Sequence, residues 1–368
     1  MAKAVIVGGG FAGCTAACML KEKHFDVTVI EASGVLGGGC RTYFYHGHPY
    51  TFGPHHLLIN IEDTNVYDYF SKFLTLRELR HHCLTYVSED DRFYTYPIHA
   101  DEIKEMPDKD IIYGEIEKGR NAGTPENFEQ YWINSVGNTL YDKFINTYSK
   151  KMWQIKNNKM IDEFAFSPKG LPLKEGSKQC FEGKKIVAYP VELDGFNSYF
   201  DRCVEGCKVL LNSPVTRFDI DQRGVIVNDE LIRGDILINT ASIDQVFDYM
   251  YGELKYIGRA LLKVILPVER VTPEPYYFIH YAGDEPYTRI VEYKLLTGYQ
   301  SPDTLIGIEF PSTENKLYPY PLKSEIEKAK RYIGQLPQNV YTLGRLGKYH
   351  YDNMDIIVKD CMELMKVI

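Results

Sequence analysis

The amino-acid sequence predicts an α/β protein whose Rossmann-like nucleotide-binding domain is built from discontinuous segments of the chain. A short apolar strand, residues 5–7, runs directly into a G-x-G-x-x-G pattern. A helical stretch follows, and then a second strand, Asp26–Ile30, which leads into Glu31. Short apolar stretches return much later, between residues 209 and 238 and again at 340–343. These three observations predict a βαβ unit whose sheet is completed by distant strands.

The three glycines of this pattern have separate physical tasks. Gly8 permits the tight turn after the strand, Gly10 lets the backbone approach a pyrophosphate, and Gly13 allows helix and strand to pack closely. The amino end of the helix attracts phosphate charge, and an acidic residue after the second strand accepts from a ribose hydroxyl. The candidate cofactor-binding residues of this stretch are Gly8, Gly10, Phe11, Ala12, Gly13 and Glu31.

A second glycine cluster narrows the predicted cofactor to FAD. Gly37-Gly38-Gly39-Cys40-Arg41 follows Glu31 after a short loop and gives the pattern E-x(5)-G-G-x-x-R. This pattern resembles that of flavoproteins with a two-dinucleotide-binding motif, whereas a simple NAD dehydrogenase usually continues directly into its next helix. Gly38 and Gly39 are therefore candidate FAD contacts. A flexible glycine turn without a ligand is the alternative.

The composition excludes several classes of function. The 368 residues carry a net charge of −8, so no nucleic-acid partner is expected. No apolar run reaches 18 residues, and no membrane span is expected. The eight cysteines form no C-x-x-C pair and have no histidines at metal-ligand spacing. This pattern predicts reduced thiols in the cytoplasm and no metal site.

The sequence divides into three predicted domains. The FAD-binding domain comprises residues 1–75, 190–245 and 325–368. An antiparallel sheet domain that binds the substrate comprises residues 76–99, 161–189 and 246–324. Residues 100–160, in which apolar side chains recur at helical spacing, are predicted to form a small helical domain. Residues 167–183 are rich in Lys, Gly, Pro and Ser and are predicted to be a mobile loop.

Capping residues predict where two helices begin. Thr124 and Pro125 are typical of a helix start, with the threonine as the cap and the proline in the first turn. Ser324 is predicted to cap a helix over residues 325–333, which Gly334 ends.

Motifs spread along the chain resemble those of one enzyme family. They are Phe52-Gly53-Pro54-His55, Tyr148-Ser149-Lys150-Lys151-Met152-Trp153, Pro286-Tyr287-Thr288-Arg289-Ile290, Glu309-Phe310-Pro311, Tyr318-Pro319, and Gly344-Arg345-Leu346-Gly347-Lys348-Tyr349 with Met354-Asp355. Because these pieces also share a common order, the chain is similar to bacterial UDP-galactopyranose mutases over nearly its whole length.

The resemblance implies an enzyme that interconverts pyranose and furanose forms of a nucleotide-diphosphate sugar for cell-surface polysaccharide synthesis. UDP-galactopyranose, converted to UDP-galactofuranose, is the best guess for the substrate. The FAD must be reduced, because its N5 attacks the anomeric carbon and displaces the nucleotide diphosphate, which later returns.

The resemblance also implies roles for individual side chains. A diphosphate leaving group suits paired guanidinium groups, helped by phenol donors. The implied catalytic residues are His55, Arg289, Tyr318 and Tyr349. The implied substrate-binding residues are Phe144, Tyr148, Trp153, Lys174, Glu309 and Arg345. The further cofactor contacts are Val215, Arg345, Asp352, Asn353 and Met354.

Simpler structural explanations stay open for several of these residues. Arg289 can form a surface ion pair with Glu292 or Asp284 instead. His55 can be a structural loop histidine, and the aromatic residues can be parts of the core.

The sequence departs from the family pattern at its periphery. Leu58 stands where the family has a second histidine, and Lys174 replaces a loop arginine, which keeps the charge but loses the bidentate fork. A related mutase acting on UDP-N-acetylgalactosamine, UDP-arabinose or dTDP-fucose is therefore an alternative. A flavin amine oxidase or desaturase and a non-catalytic FAD-binding protein are the others. The oligomeric state is open, with a homodimer as an alternative to a monomer.

Overall fold

The structure is a computed structural model that describes residues 1–119, 123–163 and 173–368. In chain order its strands are β1 (Lys3–Val7), β2 (Asp26–Ile30), β3 (Tyr43–Tyr45), β4 (His48–Tyr50), β5 (Leu57–Asn60), β6 (Leu76–Glu78), β7 (Cys83–Val87), β8 (Arg92–Tyr96), β9 (Lys185–Pro190), β10 (Lys208–Leu210), β11 (Arg217–Asp219), β12 (Gly224–Val227), β13 (Glu230–Arg233), β14 (Ile236–Asn239), β15 (Tyr256–Leu266), β16 (Phe278–Tyr281), β17 (Arg289–Glu292), β18 (Thr304–Ser312), β19 (Tyr318–Pro319) and β20 (Val340–Thr342). Its α-helices are α1 (Phe11–Glu22), α2 (Thr64–Ser71), α3 (Ala100–Ile103), α4 (Lys109–Gly119), α5 (Phe128–Tyr141), α6 (Thr147–Trp153), α7 (Asn197–Val204), α8 (Tyr293–Thr297), α9 (Lys323–Ile333), α10 (Gly344–Gly347) and α11 (Met354–Val367).

A five-stranded parallel sheet, in the order β10-β2-β1-β14-β20, contains the predicted βαβ unit. Val5 of β1 is in register with Thr28 of β2 on one side and with Leu237 of β14 on the other. Parallel strands that are covered on both faces consist of nearly continuous apolar residues, as β1 and β14 do. The sheet takes β10, β14 and β20 from distant parts of the chain, which confirms the predicted fold class.

A seven-stranded sheet, in the order β19-β15-β18-β17-β16-β7-β8, forms the second large layer. Its neighbouring strands are antiparallel except for β16 and β7, which run parallel. The register of β17 places Arg289 beside His280 of β16 on one side and beside Glu309 of β18 on the other. This sheet therefore places the opposite charges of Arg289 and Glu309, which are 20 residues apart in the sequence, next to each other.

The helical stretch predicted at 100–160 contains α3 to α6, with a π-helical turn at Asp142–Asn146. A smaller sheet, in the order β5-β9-β6, joins strands from both sides of the predicted boundary at residue 75. That boundary therefore does not follow the sheets, and the division into three domains stays a prediction.

The predicted start of α5 is wrong. The helix begins at Phe128, and the side chain of Asn127 caps it by accepting a hydrogen bond from the Gln130 amide at 3.0 Å. An asparagine directly before the first helical residue satisfies an open N–H group that a threonine three residues earlier does not reach. Residues 121 and 122, at the start of the predicted loop, lie outside the described residues.

The predicted cap of α9 is also wrong, although its end is confirmed. Residue Leu322 precedes the helix, which starts at Lys323, so Ser324 lies inside the first turn. Gly334 follows the last helical residue, as predicted.

All eight cysteines are free thiols in the structure. Within residues 1–119, 123–163 and 173–368, no helix combines the length and the apolar character needed to cross a bilayer.

Candidate functional site

A cavity of about 910 Å³ is lined both by loops beside the parallel sheet and by strands of the seven-stranded sheet. Its charged lining contains seven basic side chains, Lys174, Lys184, Lys185, Arg259, Arg289, Lys316 and Arg345. Four acidic side chains oppose them, namely Glu175, Glu182, Glu309 and Asp352. The cavity is thus locally basic in a chain of net charge −8, which suits an anionic ligand.

The glycine turn after β1 has the geometry expected of a dinucleotide site. A Cβ atom at Gly13 would overlap the carbonyl oxygen of Gly8, and Gly8 itself has a φ of 98°. Both positions therefore require glycine for the turn and for the close packing of α1. Gly10 differs, because a Cβ atom there would meet nothing within 4 Å, and this residue lines the cavity. The open space at Gly10 fits close approach by a ligand.

The cavity contains most, but not all, of the predicted cofactor contacts. Those that line it are Gly10, Phe11, Ala12, Gly38, Gly39, Arg345, Asp352, Asn353 and Met354. Those outside the lining are Gly8, Gly13, Glu31 and Val215. We call the Gly8-to-Gly13 turn and the loop around Gly38 and Gly39 the cofactor cradle.

Glu31 and Val215 lie beside the cradle rather than on the cavity surface. The carboxylate of Glu31 accepts from the amides of Gly9 at 2.7 Å and Ser33 at 2.8 Å, which fixes it next to the glycine turn. Val215 packs against an apolar cluster that includes Val7 and Ile30. Contact of either residue with a cofactor stays a prediction.

Arg289 forms a partly buried ion pair inside the cavity. Its Nε and Nη2 atoms donate to Oε2 of Glu309 at 3.0 and 2.6 Å. Burial alone would lower the pKa of Arg289, but the Glu309 carboxylate outweighs it and raises that pKa, so the guanidinium stays charged. The alternative ion pair of Arg289 with Glu292 or Asp284 is wrong, because Glu292 instead accepts from the Thr272 amide and hydroxyl.

The second oxygen of Glu309 is free for a ligand. Glu309 is 1% exposed, and among the described residues its Oε1 atom has no hydrogen-bond partner. A buried carboxylate oxygen without a partner costs free energy, so an incoming donor such as a hydroxyl group would be bound favourably.

The cavity also contains two residues that the sequence analysis did not select, Arg259 and Tyr351. The Arg259 guanidinium lies 4.8 Å from the centre of the Tyr318 ring, and Tyr318 stacks on Tyr351 with 5.3 Å between ring centres. Arg345 completes the group, since its guanidinium lies 4.4 Å from the Tyr351 ring and its Nε donates to the Asp352 carbonyl at 2.7 Å. We call Arg259, Arg289, Glu309, Tyr318, Arg345 and Tyr351 the clamp.

The sequence does contain a feature that could have indicated Arg259 and one that could have indicated Tyr351. Arg259 is 4% exposed and interrupts an otherwise apolar stretch of β15. Its Nε atom is buried and has no hydrogen-bond partner among the described residues. Tyr351 is the second tyrosine of a Y-x-Y sequence of which only the first was selected.

Tyr349 does not line the cavity, contrary to its predicted role. Its hydroxyl donates to the carbonyl of Lys255 at 2.6 Å and accepts from the amide of Tyr320 at 3.1 Å. Its ring packs edge-to-face on Tyr256. Both hydrogen bonds are structural, and Tyr351 stands where Tyr349 was expected.

Two of the predicted substrate-binding aromatics are core residues in the structure. Phe144 is fully buried and packs against Tyr94, whereas Trp153 packs against Tyr320, and neither lines the cavity. Tyr148 does line the cavity, in contact with the His280 ring. Packing therefore accounts for Phe144 and Trp153, whereas Tyr148 belongs to the buried core and also lines the cavity, so its contact with a substrate stays a prediction.

His55 lines the cavity directly beside the clamp. A Cβ atom at Gly53, two residues earlier, would lie 3.1 Å from Nη2 of Arg289 and 3.4 Å from Oε1 of Glu309. Burial, with the charges of Arg345 and Arg289, lowers the pKa of His55 to about 3, so the imidazole is neutral. Its Nδ1 atom is buried and has no hydrogen-bond partner among the described residues.

Lys174 lines the cavity, but its ammonium group is bonded to the carbonyl of Ser177. The backbone of Lys174 also pairs with Ile98 and Ala100, at 2.8 and 2.9 Å. Residues 167–172 of the predicted mobile loop lie outside the described residues. Closure of this loop over a ligand stays a prediction.

Comparison with protein families gives two matches. The model of UDP-galactopyranose mutase matches residues 143–351, and that of an NAD(P)-binding Rossmann-like domain matches residues 6–73. The second match confirms the nucleotide-binding fold of the first segment.

Two curated relatives match nearly the whole chain. A dTDP-fucopyranose mutase from Escherichia coli is 24% identical over 387 residues, which cover 99% of this chain and 97% of that protein. A probable UDP-galactopyranose mutase from Klebsiella pneumoniae is 23% identical over 389 residues, which cover 98% and 92%.

Solved structures show the same fold. A reduced UDP-galactopyranose mutase superposes with a TM-score of 0.83 at 17% identity, covering 100% of this chain and 93% of the other. A putative protoporphyrinogen oxidase from Exiguobacterium superposes with a TM-score of 0.71 at 15% identity, covering 100% and 98%. At these identities the likeness concerns the fold alone.

Proposed function

Because the chain belongs to the UDP-galactopyranose mutase family, we propose that it is an FAD-dependent mutase that interconverts pyranose and furanose forms of a nucleotide-diphosphate sugar. Members of this family are mutases, which are isomerases. The preferred substrate in this proposal is UDP-galactopyranose, which is converted to UDP-galactofuranose for cell-surface polysaccharide synthesis.

The observation that carries the proposal is the ion pair of Arg289 with the buried Glu309 in the same cavity as the cofactor cradle. Glu309 uses one oxygen to hold the Nε and Nη2 edge of the guanidinium, so the Nη1 edge is left for a ligand. A planar guanidinium held in this way is suited to bidentate contact with a phosphate group.

The other clamp residues supply what a diphosphate leaving group requires. Arg259 and Arg345 add two guanidinium groups, which stabilise the negative charge that grows on the diphosphate as it departs. Tyr318 and Tyr351 face the same space, and burial together with Tyr318 raises the pKa of Tyr351, which keeps its phenol protonated as a donor. Oε1 of Glu309 can accept from a sugar hydroxyl.

The residues of the cradle, together with the amino end of α11, fit FAD. Gly10 leaves open space at the amino end of α1, and Asn353 and Met354 place the amino end of α11 on the same cavity. When bound in reduced form, FAD supplies at N5 a nucleophile for the anomeric carbon of the sugar. His55 remains neutral, so it can hold or pass a proton beside this position.

A second candidate substrate is a dTDP-deoxysugar such as dTDP-fucopyranose. The E. coli relative with that name matches 99% of this chain at 24% identity, much as the UDP-galactopyranose relative does. The two identities, 24% and 23%, are too similar to choose between these relatives, so the nucleobase and the sugar must be assigned by assay.

The proposal places the reaction in the cytoplasm, because all eight cysteines are free thiols of the kind that a reducing compartment maintains. Besides reduced FAD, the proposal requires the nucleotide sugar as its partner.

A product assay tests the proposed function. The FAD-loaded protein is reduced with dithionite and incubated with UDP-galactose, UDP-N-acetylgalactosamine, UDP-arabinose and dTDP-fucose. We expect chromatography to detect a furanose product from one of them, and none with oxidised enzyme. If the reduced, FAD-bound protein converts none of these sugars, the proposal is wrong. Oxygen consumption with an amine substrate would favour an oxidase instead.

A further inference from the structure

A cluster of two histidines and a tyrosine lies in the cavity wall outside the cradle and the clamp. His56 and His81 line the cavity, whereas Tyr277 is 2% exposed and is not part of the lining. The two imidazole rings have their centres 4.6 Å apart. Both direct Nδ1 at the Tyr277 hydroxyl, at 3.1 Å for His56 and 2.5 Å for His81. The steps derived above do not use this cluster.

Hydrogen-bond counting fixes the protonation of the two rings. A phenol has one proton, so the Tyr277 hydroxyl can donate to only one of the two Nδ1 atoms. The other Nδ1 must carry a proton and donate it to the phenol oxygen. If both Nδ1 atoms were protonated, the phenol proton would be left buried without an acceptor among the described residues, which is costly.

Both rings are also neutral. Burial, with a smaller effect of the Arg289 charge, lowers the pKa of His56 to about 3. Burial likewise lowers the pKa of His81 well below its ordinary value. One ring therefore has its proton on Nδ1 and an unprotonated Nε2, and the other has its proton on Nε2.

In each ring Nδ1 is used for Tyr277, so Nε2 is the nitrogen left to meet a ligand in the cavity that both residues line. One of the two Nε2 atoms is then an acceptor and the other a donor. Phe181 stacks on His81, with ring centres 5.6 Å apart and planes 4° from parallel. This stacking covers one face of the imidazole with an apolar ring.

We propose that His56, His81 and Tyr277 form a subsite that recognises one hydroxyl group of the sugar, with Tyr277 as the residue that positions the two imidazoles. A hydroxyl is both a donor and an acceptor, so it satisfies both Nε2 atoms, whereas a deoxy position leaves both unsatisfied. The inference rests on the proposed function and adds which kind of sugar group the cavity selects.

The experiment pairs a Tyr277→Phe variant with deoxy substrates. Wild type and variant are assayed with the nucleotide sugar that wild type converts best, and with analogues that each lack one hydroxyl not needed for ring closure. We expect one analogue to lose about tenfold or more in kcat/KM with wild type. With Tyr277→Phe this penalty should fall to about twofold. The imidazoles are then no longer held in place, so the parent sugar loses the hydrogen bonds that the deoxy analogue lacks. Tyr287→Phe, whose ring lies outside the cavity lining, should keep the full penalty.

A purely structural role of Tyr277 gives a different result. It would lower kcat/KM by the same factor for all sugars and leave every deoxy penalty unchanged, which would overturn the subsite and leave the mutase function standing. If wild type converts no nucleotide sugar, the proposed function fails and the subsite with it. Nitrogen-15 NMR gives a second readout, since we expect opposite tautomers for His56 and His81, and identical tautomers would contradict the inference.

Discussion

The cofactor cradle and the clamp share one cavity, but the chain builds them by different means. The cradle is a local backbone structure, in which Gly8 and Gly13 shape a turn and Gly10 leaves space. The clamp consists of side chains from distant elements, and its central pair, Arg289 and Glu309, is 20 residues apart in the sequence. A backbone site is sensitive to added atoms, whereas a side-chain site is sensitive to lost charge and lost hydrogen bonds.

The comparison also shows what each region depends on. The cradle requires glycine at fixed spacing, so it is visible in the sequence as a pattern. The clamp depends on the register between β17 and β18, because a shift by one residue would turn Glu309 to the other face of the sheet. The next four predictions test this contrast, starting with the largest expected effect.

Loss of the clamp arginine should have the largest effect. In Arg289→Ala, the diphosphate loses a bidentate partner and Glu309 is left as an unpaired buried carboxylate. We expect kcat/KM to fall by roughly 10²–10³-fold, as measured with reduced enzyme, while FAD remains bound. Arg217→Ala, at an exposed position on β11, is the matched control and should retain full activity. Near wild-type activity of Arg289→Ala would show that the clamp is not used.

Two glycine substitutions should separate the two tasks of the cradle. Gly13→Ala places a Cβ against the Gly8 carbonyl, so we expect a loss of about 1–3 kcal/mol in the free energy of unfolding, together with weaker FAD binding. Gly10→Ala meets no protein atom, so the apoprotein should keep its stability and lose only FAD affinity. Denaturant unfolding and a flavin titration measure both quantities.

Gly114→Ala in α4 is the control for the glycine series, since a Cβ there also meets nothing within 4 Å and the residue is not part of the cavity lining. It should change neither FAD affinity nor activity. If Gly10→Ala binds FAD as tightly as Gly114→Ala does, the open space at Gly10 is not part of the cofactor site.

The neutral histidines beside the clamp should make stability depend on pH. The pKa values of His55 and His56 are both about 3 in the folded chain, below the ordinary value of 6.5. The unfolded state therefore binds more protons below pH 6.5, so their contribution to stability is complete above that pH and is lost as the pH falls toward 3. Each of these histidines should lower the free energy of unfolding by at most about 1.4 kcal/mol for every pH unit below 6.5. The measured value should be smaller than this limit, because water can enter the cavity.

Denaturant unfolding between pH 6.5 and 5.0 measures this slope in a range where most carboxylates stay ionised. A His56→Gln variant should have a shallower slope than wild type. The same slope in both proteins would mean that His56 is not held neutral by the fold.

The two tyrosines of the Y-x-Y sequence should respond in opposite ways, with the smallest effect. Tyr351→Phe removes a phenol from the cavity, so we expect kcat/KM to fall by about tenfold with little change in stability. Tyr349→Phe removes the bonds to Lys255 and Tyr320, so we expect a loss of about 1 kcal/mol in stability with kcat/KM unchanged. Steady-state kinetics and thermal unfolding distinguish the two, and a kinetic effect at Tyr349 alone would reverse the assignment.

Sequence reasoning recovered the parts of the molecule whose residues are adjacent in the chain. The βαβ unit, the helical stretch after residue 100 and the strands that complete the parallel sheet all follow from local patterns. It failed where two residue types offer similar local signals. Asn127 rather than Thr124 caps α5, because the cap must directly precede the first helical residue.

By itself, the sequence determined the nucleotide-binding turn and the identity of Arg289 as a candidate, because glycine at fixed spacing and an arginine in a specific motif are local properties. Only the tertiary structure decided which side chains meet in the cavity. Tyr349 has a left-handed backbone conformation, with a φ of 50°, so the spacing along the chain could not show that Tyr351 enters the cavity instead. Sheet register and loop packing place Arg259 and His81 in the cavity lining and Tyr277 directly behind His81. Both depend on contacts between residues that are distant in the sequence.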